Sequence, residues 1–159
     1  MEIKEFNSMN VVSYHYEGTA PEYHAWSYLF NWIIQNNYSL DGCRFFGFNN
    51  PNPEHGIEEV GFEVWMTTSQ GTETDGLVKY KEITQSGLYA VHKITLKNIE
   101  NGWGQLIDWL NNSEYEYDNT RQYLEEHYIN NEQLKSVLTN NKFEEDELVI
   151  DLCLPIINK

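Results

Sequence analysis

One short pattern occurs twice in this chain, and a duplicated unit constrains a fold more tightly than any bulk property. Ala25-Trp26-Ser27-Tyr28-Leu29-Phe30-Asn31-Trp32-Ile33 and Gly102-Trp103-Gly104-Gln105-Leu106-Ile107-Asp108-Trp109-Leu110 both read W-x-x-L-(F/I)-x-W-(I/L), 77 positions apart. Each is followed five residues later by a tyrosine, Tyr38 and Tyr115. The same offset sets His15 against His92, Arg44 against Arg121 and Phe46 against Tyr123. In each copy the apolar residues recur at i, i+3, i+4 and i+7, which gives one stripe along a helix. The stripes are Trp26, Leu29, Phe30, Ile33 and Trp103, Leu106, Ile107, Leu110.

Strand-like runs flank both helices in the same order. In the first half they are residues 11–16 before the helix and 44–48 and 59–67 after it. Pro21 opens that helix, where its missing N–H costs nothing. In the second half they are residues 88–95, 123–128 and 148–154, although 120–127 also reads as helix. Residues 77–83 supply a candidate extra strand in the connection. The expected class is α+β: two duplicated β-α-β-β units, about 9–68 and 86–156, sharing an antiparallel sheet. Both helices cover one face, and the other face is left with a ligand groove at the pseudo-two-fold axis. One domain would span residues 1–159.

Charge then removes whole classes of function. Twenty-five acids against ten Lys and Arg give a formal net charge of −15. A nucleic-acid partner needs a basic face for counterion release, and this chain is expected to bind none directly. The same excess favours cationic small molecules by raising their local concentration. Cys43 and Cys153 have no metal-type spacing, and the five histidines form no HExxH pair, so neither a metal nor a cofactor is expected. The N-terminus has no signal-peptide pattern and no apolar run could cross a membrane, which points to a cytoplasmic protein without membrane contact.

Strand pleating nominates the site. Along residues 60–66, Phe62, Val64 and Met66 share one face and suit the helices, so Glu63 and Trp65 point to the open side. An offset of 88 sets Asp151 against Glu63 on the last strand, and the offset of 77 sets Glu125 against Phe48. The expected ligand face therefore carries Glu63, Trp65, Phe48, Glu125 and Asp151, with Tyr89 and Tyr123 supplying hydroxyls. Acids beside aromatic rings suit an apolar cation. The plainer alternative is that these acids are solvated. Trp26, Trp32 and Trp103 lie on helical stripes and are expected in the core, and Cys43 is expected to be structural.

The run Arg44-Phe45-Phe46-Gly47-Phe48-Asn49-Asn50-Pro51-Asn52-Pro53, followed by Val60-Gly61-Phe62-Glu63-Val64-Trp65, resembles the signature of gyrase-inhibitor-like effector-binding domains. Pro21-Glu22, Ala25-Trp26, Gly87-Leu88-Tyr89-Ala90, Leu124-Glu125-Glu126 and Asp151-Leu152-Cys153-Leu154-Pro155-Ile156 extend the resemblance over nearly the whole chain. It implies a groove in which a buried glutamate and stacked aromatics hold lipophilic cations, with Glu63 and Glu125 on the matching positions. Regulators of this kind carry a helix-turn-helix before the domain, for which this chain has no length. The expected function is small-molecule binding without direct control of DNA. Two alternatives stand beside it. One is hydrolysis of reactive small molecules by Glu63 or Glu125, with Tyr89 or Tyr123 as proton donors. The other is interaction with a protein partner such as DNA gyrase.

Overall fold

Nine strands and three helices form among the residues that the computed structural model describes, 1–53 and 60–159. In chain order they are β1 (Glu2–Phe6), β2 (Met9–Glu17), α1 (Pro21–Gln35), β3 (Phe45–Asn49), β4 (Gly61–Thr67), β5 (Lys79–Ile83) and β6 (Gly87–Thr95). There follow α2 (Ile99–Asn111), β7 (Tyr115–Tyr117), β8 (Leu124–His127), α3 (Asn131–Asn140) and β9 (Val149–Asn158). The strand order is β1-β6-β9-β8-β3-β4-β2-β5, with β7 paired to the end of β9, and every pairing is antiparallel.

This order is the expected duplication. The units β2-α1-β3-β4 and β6-α2-β8-β9 meet at the β3–β8 pair, where Gly47 faces Glu125 and Phe45 faces His127. A two-fold axis through that pair exchanges β2 with β6 and β4 with β9. The candidate strand at 77–83 exists as β5 on one edge, and residues 124–127 are strand rather than helix. Three elements were not anticipated: β1 on the opposite edge, β7, and α3. The predicted strand at 59–67 begins at Gly61, and its first residue, Glu59, lies outside the described residues.

All three helices pack on one face. Trp26, Leu29, Phe30 and Ile33 of α1 are buried against Val12, Phe45, Phe62, Val64 and Met66. The extra helix α3, capped by Asn130 accepting from the Gln133 N–H at 2.9 Å, closes the outer side of this core. Phe143, just beyond it, sits edge-on to Trp26 and Phe30. Only half of the matching stripe on α2 is covered: Leu106 and Leu110 are buried, whereas Trp103 is half-buried and Ile107 exposed. The two copies of one sequence pattern thus end in different packing. That difference makes the groove.

The other face of the sheet carries no helix among the described residues, yet it is not open. Phe6, Val11, Phe46, Phe48, Trp65, Tyr89, Val91, Leu124 and Cys153 form a second apolar cluster there. Phe6 stacks on Tyr89 at 4.5 Å, and Phe48 meets Trp65 edge-on at 4.9 Å. Sheet twist curls the edges toward one another and lets strand side chains cover their own face.

Candidate functional site

A cavity of about 670 Å³ lies on the helix face between α1 and α2, above the β3–β8 junction. Its floor is Phe62 of β4, Glu125 of β8 and Leu154 of β9, with Asn49 at the end of β3. One wall is Glu22 in the first turn of α1; the other is Ile99, Glu100, Trp103, Ile107 and Leu110 on α2. Tyr123 and Tyr117 close the far end. Trp103 and Tyr123 meet edge-to-face, with centroids 5.4 Å apart and planes at 82°. The lining holds three carboxylates and no Lys, Arg or His among the described residues. Glu125 is 8% exposed.

Gly47 is what lets this floor exist. A Cβ there would lie 2.8 Å from the Phe62 ring and 3.1 Å from Trp26, so the bare strand allows both rings to lie across it. Behind Glu125, His127 is fully buried beside Trp26, with ring centroids 4.8 Å apart. Burial pushes its pKa down to about 4, against a partial upward pull from the bond between its Nδ1 and the Glu125 carbonyl, 3.0 Å away. The ring stays neutral under the groove.

The structure divides the sequence-nominated residues between two faces. Glu125 and Tyr123 line the groove, and Trp103, expected in the core, joins them. Glu63, Trp65, Phe48, Tyr89 and Asp151 do not; they lie on the opposite face, and the groove is on the face that carries the helices. The expectation that Glu125 shares a face with Glu63 fails on parity. Residues paired across a ladder share a face, and the register puts Glu125 one position away from the Phe48 that the offset of 77 assigned to it. Glu125 pairs with Gly47 rather than Phe48, and Leu124 takes the second cluster instead. Glu63 and Asp151, which the offset of 88 set together, do share a face, linked by the Phe48–Glu63, Phe46–Glu126 and Glu126–Asp151 pairs. Glu22, Glu100 and Tyr117 were missed; acids in the first turns of both duplicated helices were the available signal.

The opposite face is already filled. Its cavity between Phe6, Trp65, Tyr89 and Leu124 measures about 30 Å³, roughly the share of one water molecule in the liquid. The Glu63 carboxylate accepts from Ser13 Oγ at 3.0 Å, Asn50 Nδ2 at 2.9 Å, Trp65 Nε1 at 2.6 Å and Lys81 Nζ at 2.9 Å. Burial opposes its ionisation, but the Lys81, Trp65 and Asn50 bonds and the Lys81 charge outweigh burial and hold its pKa below the usual range. Asp151 pairs with Lys93 at 3.0 Å and accepts from the Tyr128 hydroxyl at 2.6 Å. Tyr89 donates to the Gln122 carbonyl at 3.1 Å, and burial pushes its pKa up to about 12. Among the described residues no group of His, Cys, Asp and Glu is arranged to hold a metal ion.

Residues 2–156 match the family model described as Cass2, integron-associated effector binding protein. The chain belongs to that family. Solved structures agree on the fold. The EcmrR C-terminal domain superposes with a TM-score of 0.66 at 14% identity, covering 99% of this chain and 97% of that one. In an EcmrR–DNA complex the longer EcmrR chain gives 0.67 at 16% identity, and the match spans only 57% of it. A hydrolase from Listeria innocua gives 0.55 at 8% identity, covering 98% and 92%. No functionally curated protein matches in sequence. As an effector-binding protein of gyrase-inhibitor-like fold, the chain has its groove at the junction of the two repeats. No helix among the described residues is long and apolar enough to cross a membrane.

Proposed function

We propose that the chain, as one effector-binding domain over residues 1–159, holds lipophilic organic cations in the groove between α1 and α2. One observation carries this reading: a cavity of about 670 Å³ with Phe62, Trp103, Tyr117 and Tyr123 in its lining also holds the carboxylates of Glu22, Glu100 and Glu125. Pockets of this volume bury most of a drug-sized molecule, and aromatic faces with a poorly hydrated carboxylate prefer a soft cation to a neutral molecule. Glu125, deepest of the three acids, serves as counter-charge, and Trp103 and Tyr123 embrace the ligand. In this reading the protein is cytoplasmic, and its net charge of −15 supports action by sequestering its ligand or through a protein partner rather than by touching DNA.

Methyltriphenylphosphonium and triphenylphosphine oxide test this directly, being nearly the same shape with and without charge. Tryptophan fluorescence should show saturable binding that prefers the cation by about tenfold, a difference of one charged contact. Glu125→Gln should remove the preference. No saturable response to either probe would sink the reading.

A second reading, hydrolysis, is favoured by one arrangement: Glu125 and Tyr123 line the same groove, as an acid–base pair requires. Turnover of an aryl ester that survives Glu125→Gln unchanged would remove it.

A further inference from the structure

The Asn49–Phe62 pair at the groove's edge is held from behind. Asn49 of β3 faces Phe62 of β4 in the ladder, and both line the groove. The next residue on each strand turns to the far side of the sheet, and there Asn50 Nδ2 donates to Glu63 Oε1 at 2.9 Å. Two more bonds fix Asn50: its N–H donates to the Gly61 carbonyl at 3.2 Å, and its own carbonyl lies 2.6 Å from His15 Nε2. A side chain at Gly61 would strike the Asn50 carbonyl, so the two strands close here without slack. Glu63 also accepts from Ser13 of β2, Trp65 of β4 and Lys81 of β5, and so ties four segments at one buried point, 3% exposed.

We propose that Glu63 is a positioning residue for the groove: through Asn50 it fixes the Asn49–Phe62 part of the floor against which a ligand packs, without touching the ligand. The inference rests on the groove being the binding site. It gives one role to Asn49-Asn50-Pro51 and Gly61-Phe62-Glu63, because each run supplies one half of the tether. The glutamate contributes shape to the site, while its charge is already neutralised by Lys81 at 2.9 Å on the far face.

The test separates shape from charge. Wild type, Glu63→Gln, Asn50→Ala and the double variant are titrated with methyltriphenylphosphonium and triphenylphosphine oxide, well below each protein's unfolding temperature. Substitutions remote from a ligand shift its binding by roughly threefold to thirtyfold. Each single variant should therefore weaken both probes equally, by about tenfold, leaving the preference for the cation intact. The double variant should be no worse than the poorer single, since both cut one tether. Asn50→Ala keeps three of the four donors to Glu63, so it remains informative if Glu63→Gln fails to fold. A folded Asn50→Ala protein with wild-type affinity for both probes overturns the proposal. So does a loss at Glu63→Gln confined to the cation, which would make Glu63 a direct counter-charge. Wild type binding neither probe would instead remove the binding reading itself, together with this inference.

Discussion

The two faces of this sheet each bury a glutamate among aromatic rings, and they use it oppositely. On the bare face Glu63 is closed in by Ser13, Asn50, Trp65 and Lys81, and the neighbouring cavity is about 30 Å³. On the helix face Glu125 lies on the floor of a cavity of about 670 Å³, between helices that do not meet over it. A buried acid closed in by a cation and several donors serves cohesion, whereas one on the floor of a cavity this size fits the proposed role of counter-charge to a ligand. The contrast teaches that an acid–aromatic pairing in a strand does not by itself announce a pocket. What decides is whether the elements above it leave space, and here the uncovered half of the α2 stripe does so.

If the bare face is core and the helix face is site, truncating an aromatic ring on each should have opposite consequences. Phe46 is fully buried beside Phe6 and Trp65. Phe46→Ala should cost about 4 kcal/mol in urea unfolding and leave methyltriphenylphosphonium affinity nearly unchanged in the folded protein. Trp103, half-buried at the groove, should cost roughly 1–2 kcal/mol as Trp103→Ala, yet weaken that probe at least about tenfold. The reverse outcome, with binding lost at Phe46 and retained at Trp103, would exchange the roles of the two faces.

The faces should also separate along the pH axis. His127, under the groove, titrates at about 4 in the folded chain against 6.5 in the unfolded one. Below 6.5 the unfolded chain takes up this proton first, so stability is complete above that pH and falls as pH drops through 4. The loss approaches about 3 kcal/mol. Glu63, held below its ordinary 4.5, keeps its contribution above that value and loses it only at lower pH. Urea titrations between pH 7 and 4 should therefore show a slope that His127→Phe flattens, while the acid loss below that window persists. A His127→Phe protein with an unchanged slope would remove the assignment.

Most of the sheet, and the groove's place at the two-fold junction, were legible in the amino-acid order, and the groove's face was not, for one physical reason. Alternation within β4 assigns Phe62, Val64 and Met66 to the helices and Glu63 to the other face, because it depends only on neighbours in sequence. The face of Glu125 depends on how many residues connect α2 to β8, and that connection contains β7 and a different loop length from its counterpart. An offset correct for the helices is then wrong by one for the strand. The helix α3 did leave a trace: Leu134, Val137 and Leu138 stand at helical spacing behind Asn130, with Gln133 at the position of a capping partner. Which of the two matching stripes α3 would cover is a tertiary fact, and nothing in Trp26 or Trp103 discloses it.

The rim of the bare face offers the smallest effect. Arg44 donates to Glu126 through Nε and a terminal nitrogen, both at 2.9 Å, and its guanidinium lies 5.0 and 4.9 Å from the Phe6 and Phe46 ring centroids. The geometry is bidentate, but 44% of the Arg44 side chain remains in water, so solvent screens much of the attraction. A double-mutant cycle of Arg44→Met with Glu126→Gln should give a coupling of about 1 kcal/mol, shrinking in high salt. A coupling near zero would make the pair a surface ornament of the second core. A coupling of about 3 kcal/mol that ignores salt would mean the pair is dry in solution. Only another molecule lying on this face could dry it, and the bare face would then be an interface rather than an exposed back to the groove.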